Sequence, residues 1–283
     1  MVQIPRLNRL AEMDQQPRRD ELDRMARECG EPSAECLCVD SELARLLTEP
    51  SRITGVIRNW FDLTTLAYEY RDQPYIYRGQ TRAWPIQPKI GRDIRREDST
   101  GKKLAYEREA EKSLFEAFVR RATAHEHLDP GRENEWLAVA QHYSLPTRLV
   151  DWTRGLLIAA LFATKDSGFL EGKEKSVGAI YVLTKRPPAL HKGGSIWSDN
   201  GTFIYAPRHV TPRIVAQQGE FTIHMNPGME FRENVETWLI SHKACFDIKR
   251  TLDTCGVTEA VLFPDTEGLA KHLTWSHKWG RDL

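Results

Sequence analysis

Tyr77-Arg78-Gly79-Gln80 sets a permanent cation between an aromatic ring and a glycine, closing the aromatic and β-branched run Tyr75-Ile76-Tyr77. An arginine at the end of a strand offers a planar fork of donors, and a following glycine lets a ligand come close to the backbone. Together they suit a phosphate or a carboxylate. The same arginine can instead be structural, paired with Asp151 or Glu135, and these four residues do not choose between the two. A second concentration runs through Gln141-His142-Tyr143-Ser144-Leu145-Pro146-Thr147-Arg148-Leu149-Val150-Asp151-Trp152. Polar groups packed beside apolar segments must find partners. This stretch is therefore a binding site or an internal polar network that holds two helices at a set angle. The candidates for ligand contact are Tyr77, Arg78, Gly79, Gln80, Gln141, His142, Tyr143, Thr147, Arg148 and Asp151. Asp151 has a second possible role, orienting Arg148 or capping the next helix.

The elements that would carry these residues follow from periodicity. Ile53, Val56, Ile57, Trp60, Phe61, Leu63 and Leu66 recur close to helical spacing over 51–70, and Asp72-Gln-Pro stops them. Tyr75-Ile76-Tyr77 reads as a strand. The two prolines of Trp84-Pro-Ile-Gln-Pro-Lys forbid a helix there. A charged linker, 92–103, precedes a long helix over 104–128 with Leu114, Phe115, Phe118 and Val119 on one stripe. Another helix spans 133–143 and ends before Pro146. Asp151 or Thr153 suits the N-cap of a buried helix beginning at Leu156-Leu-Ile-Ala-Ala-Leu-Phe-Ala. Strands are expected at 177–183, 202–205, 221–224 and 260–263, with a last helix capped by Asp265. The fold class is α+β: a helical first half packed on a mainly antiparallel sheet. Residues 1–45 read as a charged helical extension and 46–283 as the functional domain.

The totals bound the rest. The chain has 283 residues, and its 40 Lys and Arg balance its 40 Asp and Glu, which removes any global electrostatic case for nucleic acid. The start, 1–9, is polar and broken by proline, without the apolar core of a signal peptide. The longest apolar run, 156–163, is far short of the roughly 20 residues that cross a bilayer. A cytoplasmic protein with no membrane partner is expected. Cys29, Cys36, Cys38, Cys245 and Cys255 are odd in number, and Cys36-Leu-Cys38 has the wrong spacing for a zinc knuckle. His125-Glu-His127 diverges on a helix, so no metal is expected.

Tyr-Arg-Gly-Gln, followed by Ala140-Gln-His-Tyr-Ser-Leu-Pro-Thr-Arg-Leu-Val-Asp-Trp-Thr, resembles the FRG domain family, named for its Phe/Tyr-Arg-Gly motif. The resemblance covers about Tyr75 to Lys165, with weaker echoes at 213–222 and 262–265; Ser144 stands where a glycine is expected. It implies a bacterial or phage protein from a toxin or defence setting, with an unknown macromolecular target and an antitoxin or defence partner. The order of elements is also similar to ADP-ribosyltransferases. These carry an arginine at the end of their first strand and a Gln/Glu-x-Glu opening a later one, matched here by Arg78 and by Gln218-Gly219-Glu220. Gly201-Thr202-Phe203 departs from the Ser-Thr-Ser of their middle strand. That resemblance implies an ADP-ribosyltransferase-like fold and NAD as cofactor. Arg78 would clamp the dinucleotide, Glu220 stabilise the oxocarbenium-like centre, and Gln218 orient the acceptor.

Two other classes compete. Arg82, Trp84, Lys89, Arg92, Arg95 and Arg96 could track a nucleic acid, and a nuclease would need at least two clustered carboxylates, for which Asp151, Glu135 and Asp265 are the candidates. A non-enzymatic ligand-sensing or interaction module would instead bury Arg78 fully paired, with no open pocket beside it.

Overall fold

The computed structural model describes residues 53–92, 106–126, 128–129, 131–165, 177–190, 195–197, 201–208 and 211–279. The expected extension over 1–45, with Cys29, Cys36 and Cys38, lies outside them, as do Arg95, Arg96 and His127. In chain order the elements are β1 (Gly55–Ile57), α1 (Trp60–Tyr70), β2 (Ile76–Gln80), α2 (Arg108–Ala122), α3 (Glu133–His142), β3 (Leu149–Thr153) and α4 (Leu156–Thr164). They continue with β4 (Gly178–Leu183), β5 (Thr202–Tyr205), α5 (Pro212–Ala216), β6 (Gly219–His224), β7 (Val235–Ile240), α6 (His242–Thr254), α7 (Glu259–Leu262) and α8 (Thr266–Lys278).

The strands form one seven-stranded sheet in the order β1-β7-β4-β2-β3-β6-β5. Only the β1–β7 pair is parallel. The fold is α+β with a mainly antiparallel sheet, but two of its strands, β1 and β2, come from the first half of the chain. Tyr77, Ile180, Val182, Trp238 and Ile240 share one face with α1, α4 and α6. Ile76, Val150, Trp152, Ala179, Tyr181 and Leu239 occupy the other, covered by Ala83, Ile86 and Phe231. The β3–β6 end packs Leu149, Phe221 and Ile223 against Phe115 of α2 and Trp136 of α3. Residues Leu156 to Ala163 have no polar stripe, so α4 is buried across the sheet, as its composition demands.

Several expectations are corrected. Residues 53–57 do not join a helix: the β-branched Val56 and Ile57 build β1, and α1 starts only after Asn59, whose side chain accepts from Asp62 N at 3.0 Å. Asp151 and Thr153 cap nothing, because both lie in β3; α4 begins after Gly155, whose N–H donates to Thr153 Oγ1 at 3.1 Å. Residues 259–262 are the helical turn α7, capped by Thr258, rather than a strand. Leu114 is exposed while Phe115 is buried, one position round the helix. Asp265 does cap α8, accepting from Gly268 N at 2.7 Å. Strand β7 and helix α6 were not foreseen. Among the described residues no helix is long and apolar enough to cross a membrane.

Candidate functional site

Strands β2 and β3 share a single register pair, Tyr77 with Thr153, whereas β2 and β4 pair along five residues. Beside this minimal pairing lies a pocket of about 300 Å³. Arg78 lines it, with a side chain 15% exposed. Its Nη1 donates to the Asp151 carbonyl at 2.8 Å and stands 3.6 Å from Asp151 Oδ2; its Nη2 donates to Gln80 Oε1 at 3.3 Å. The buried Nε has no hydrogen-bond partner among the described residues. Burial pulls the guanidinium below its ordinary range, against Asp151 and then Tyr181, which favour the charged form. Gln80 is buried and holds the Arg78 side chain on one side and the Trp84 carbonyl on the other, so its role is support rather than ligand contact.

Gly79 has a different reason from the one expected. A Cβ there would come within 1.8 Å of the Ala159 carbonyl oxygen, so the glycine lets α4 lie on β2. The Tyr-Arg-Gly triplet thus packs a helix at its third residue and presents a cation at its second. Tyr77 lines the pocket while mostly buried, its hydroxyl pKa pushed up to about 12 by burial with help from Tyr75.

Opposite stands Asp151, the one carboxylate among the described lining residues, with a side chain 56% exposed. Its Oδ2 accepts from Gln141 Nε2 at 2.8 Å. His142 also lines the pocket and is held below its usual pKa by burial and Arg213, against Glu126 and Asp265. Lys89, Ser144, Leu145, Trp152, Thr153 and Phe162 also line it, and Arg213 and Gln217 close the far side from α5 and its end. Lys89 Nζ donates to the Ser144 carbonyl at 2.8 Å. Ser144 has φ 65°, the left-handed conformation that explains why a glycine is expected at this position.

Five more of the expected site residues lie elsewhere. Arg148 is fully buried against Glu111: Nε donates to Oε1 at 3.0 Å and Nη2 to Oε2 at 2.7 Å. Its Nη1 donates to the Ile196 carbonyl at 2.6 Å, and Trp197 stacks 4.4 Å from the guanidinium. Asp151 therefore orients Arg78, not Arg148. Thr147 is buried and touches the pocket only through Gln141. Tyr143 is 58% exposed and donates to Glu126 Oε1 at 2.8 Å, away from the lining. Glu220 is the largest correction. Its carboxylate, 3% exposed, is held by Arg154 and by Arg186 Nη1 at 2.8 Å, and it does not line the pocket. Gln218 has φ 48°, with its N–H on the Val215 carbonyl and its carbonyl accepting from Arg154 N; it turns the chain into β6.

Lys89, Ser144, Leu145, Trp152, Thr153, Phe162, Arg213 and Gln217 line the pocket without being among the candidates for ligand contact. Lys89 was placed in a basic stretch, and Phe162 is indistinguishable from core in an apolar run. Arg213 and Gln217 lie in the 213–222 echo, which was the available signal.

Compared with known proteins, residues 73–168 match the family model described as FRG domain. The chain carries an FRG domain. No curated protein and no solved structure matches the chain. The FRG domain supplies β2 through α4, and with them Arg78, Gln141, His142, Asp151 and Phe162. Arg213 and Gln217 come from beyond it, so the pocket is completed by the rest of the sheet and its connections. Chemically, the FRG domain joins an incompletely satisfied guanidinium, a solvent-reaching carboxylate oriented by an amide, and the aromatic side chains of Tyr77 and Phe162. Among the described residues no group of three or more His, Cys, Asp or Glu gathers that could hold a metal ion.

Proposed function

We propose that the FRG domain binds NAD or a related nucleotide in this pocket and acts as an ADP-ribosyltransferase-like enzyme, with Asp151 in the role first assigned to Glu220. The observation behind this reading is the meeting in one pocket of Arg78, with an unused buried donor, and Asp151, the one carboxylate among the described lining residues. Arg78 takes an anionic group of the nucleotide, with Lys89 and Arg213 adding positive charge around it. Tyr77 and Phe162 offer apolar surface to a planar ring. Breaking the nicotinamide–ribose bond sends the electron pair out on nicotinamide and leaves an oxocarbenium-like carbon. A carboxylate stabilises that carbon until an acceptor's nucleophile adds to it and releases its proton. In this reading the acceptor belongs to a macromolecular target, and the protein is a toxin or antiphage effector held in check by an antitoxin or defence partner.

The competing classes have weaker support. A nuclease calls for a carboxylate pair, yet Glu135 is engaged by Arg132 and Arg208, and Asp265 caps α8. On the basic stretch, Arg92 is engaged with the Gln87 carbonyl and Lys89 lies in the pocket. A sealed interaction module would leave no opening beside Arg78.

The test is calorimetric NAD titration and turnover with the intact chain, wild type against Arg78→Met, Asp151→Asn and Glu220→Gln. Arg78→Met should lose binding, Asp151→Asn should keep binding and lose turnover, and Glu220→Gln should retain both at temperatures where it stays folded. Wild-type protein that neither binds nor consumes NAD would refute the proposal.

A further inference from the structure

We infer that Thr147 is a positioning residue that anchors the Gln141 amide, holding its Nε2 against the Asp151 carboxylate. The inference rests on the reading of Asp151 as the reacting carboxylate of the pocket. The chain of contacts has a direction fixed at both ends. The Leu149 N–H can only donate, and it donates to Thr147 Oγ1 at 3.1 Å. The Thr147 hydroxyl proton is thereby directed away from Leu149, to Gln141 Oε1 at 2.6 Å. That contact turns the other end of the amide, Nε2, toward Asp151 Oδ2 at 2.8 Å, where an ionised carboxylate can only accept.

A flip of the Gln141 amide would set Oε1 against the carboxylate oxygen, acceptor against acceptor, whereas the Thr147 hydroxyl can meet either end; the carboxylate therefore fixes which end faces it, and the Thr147 hydroxyl fixes where the amide sits. A backbone donor in β3 is thus transmitted, through a buried hydroxyl and an amide, to the anion of the pocket. Asp151 Oδ2 is held by this donor and by Arg78 Nη1 at 3.6 Å. No hydrogen bond engages Oδ1 within the described residues, so it can serve the developing cation. Thr147 itself never touches a ligand in this arrangement.

The experiment uses the full chain with ¹⁵N-labelled glutamine. The side-chain NH₂ pair of Gln141 is assigned by its loss in Gln141→Met, and its solvent exchange is compared in wild type, Thr147→Ser, Thr147→Cys and Thr147→Val. Slow exchange in wild type and Thr147→Ser, weakened in Thr147→Cys with its poorer donor and lost in Thr147→Val, is expected. In parallel, NAD kcat should fall about tenfold in Thr147→Val, the rate equivalent of one hydrogen bond, with KM unchanged and Thr147→Ser restoring it. Equal protection of the Gln141 amide in Thr147→Val overturns the inference. Wild-type protein without NAD turnover brings down the transferase reading alone, because amide exchange still decides whether Thr147 orders Gln141.

Discussion

Arg78 and Arg148 come from the two motifs that single out this chain, and the fold uses them in opposite ways. Arg148, just before β3, meets a carboxylate fork, a carbonyl and an indole face, and none of its surface reaches solvent. Arg78, inside β2, reaches a carbonyl and a more distant carboxylate oxygen, leaves Nε unused, and lines a pocket. One guanidinium is a completed internal bond set, and the other is held ready with capacity to spare. A buried charge is tolerable only when its donors are matched. The incomplete matching at Arg78 is what the proposed binding role rests on, whereas the fully matched Arg148 is an internal anchor.

The comparison is broken most directly by removing each arginine in turn. Arg148→Met strands Glu111 in the interior and should cost about 3–5 kcal/mol, read as a large fall in Tm and in the urea midpoint. Unchanged stability would mean that Arg148 is not the internal anchor described. A second probe is acid. His224 accepts from or donates to Thr222 Oγ1 at 2.8 Å through Nε2, and burial, followed by Arg78, pushes its pKa down to about 3. Between that value and the ordinary 6.5 the unfolded chain binds the extra proton. The contribution of neutral His224 is therefore complete above about pH 6.5 and is lost as pH falls toward 3, by about 1.4 kcal/mol per pH unit. Urea titrations at pH 7 and pH 4.5 should show this slope reduced in His224→Leu. Arg78→Met should raise the His224 pKa, since the positive charge of Arg78 is one of the two causes of its depression.

The stability of Arg78→Met itself should drop by no more than about 1 kcal/mol, because its pairing with the half-exposed Asp151 is weakly stabilising. A loss as large as that of Arg148→Met would erase the distinction between the two residues. The smallest effect concerns the loop between them. Ser144→Gly relieves a left-handed φ of 65° but loosens the unfolded chain, so a net gain of about 0.5 kcal/mol is expected by thermal denaturation.

Much of the fold was legible. Helices α3 and α4, strand β4 and the Asp265 cap follow from periodicity, length and breakers, all local signals. Residues 53–57 and 259–262 were misread because a short apolar run carries no period of its own, and its partners are distant: β1 pairs with β7, some 180 residues away along the chain. Six of the candidates for ligand contact, Tyr77, Arg78, Gly79, Gln141, His142 and Asp151, line one pocket, because polar density beside apolar segments is a local property. Glu220 was misassigned for the opposite reason. A Gln-x-Glu tripeptide says nothing about what faces the carboxylate, and here Arg154 and Arg186 occupy it.

The sequence by itself determined the α+β class, the FRG motifs and the set of polar residues among which the site would be found, since composition, periodicity and motif are properties of neighbours along the chain. Only the tertiary structure decided which arginine is fully matched and which keeps an unmatched donor, that Gly79 serves helix packing, and that α5 closes the pocket from outside the FRG domain. Those outcomes depend on burial and on partners brought together across the sheet. The environment of a charge, rather than its identity, sets what it can do.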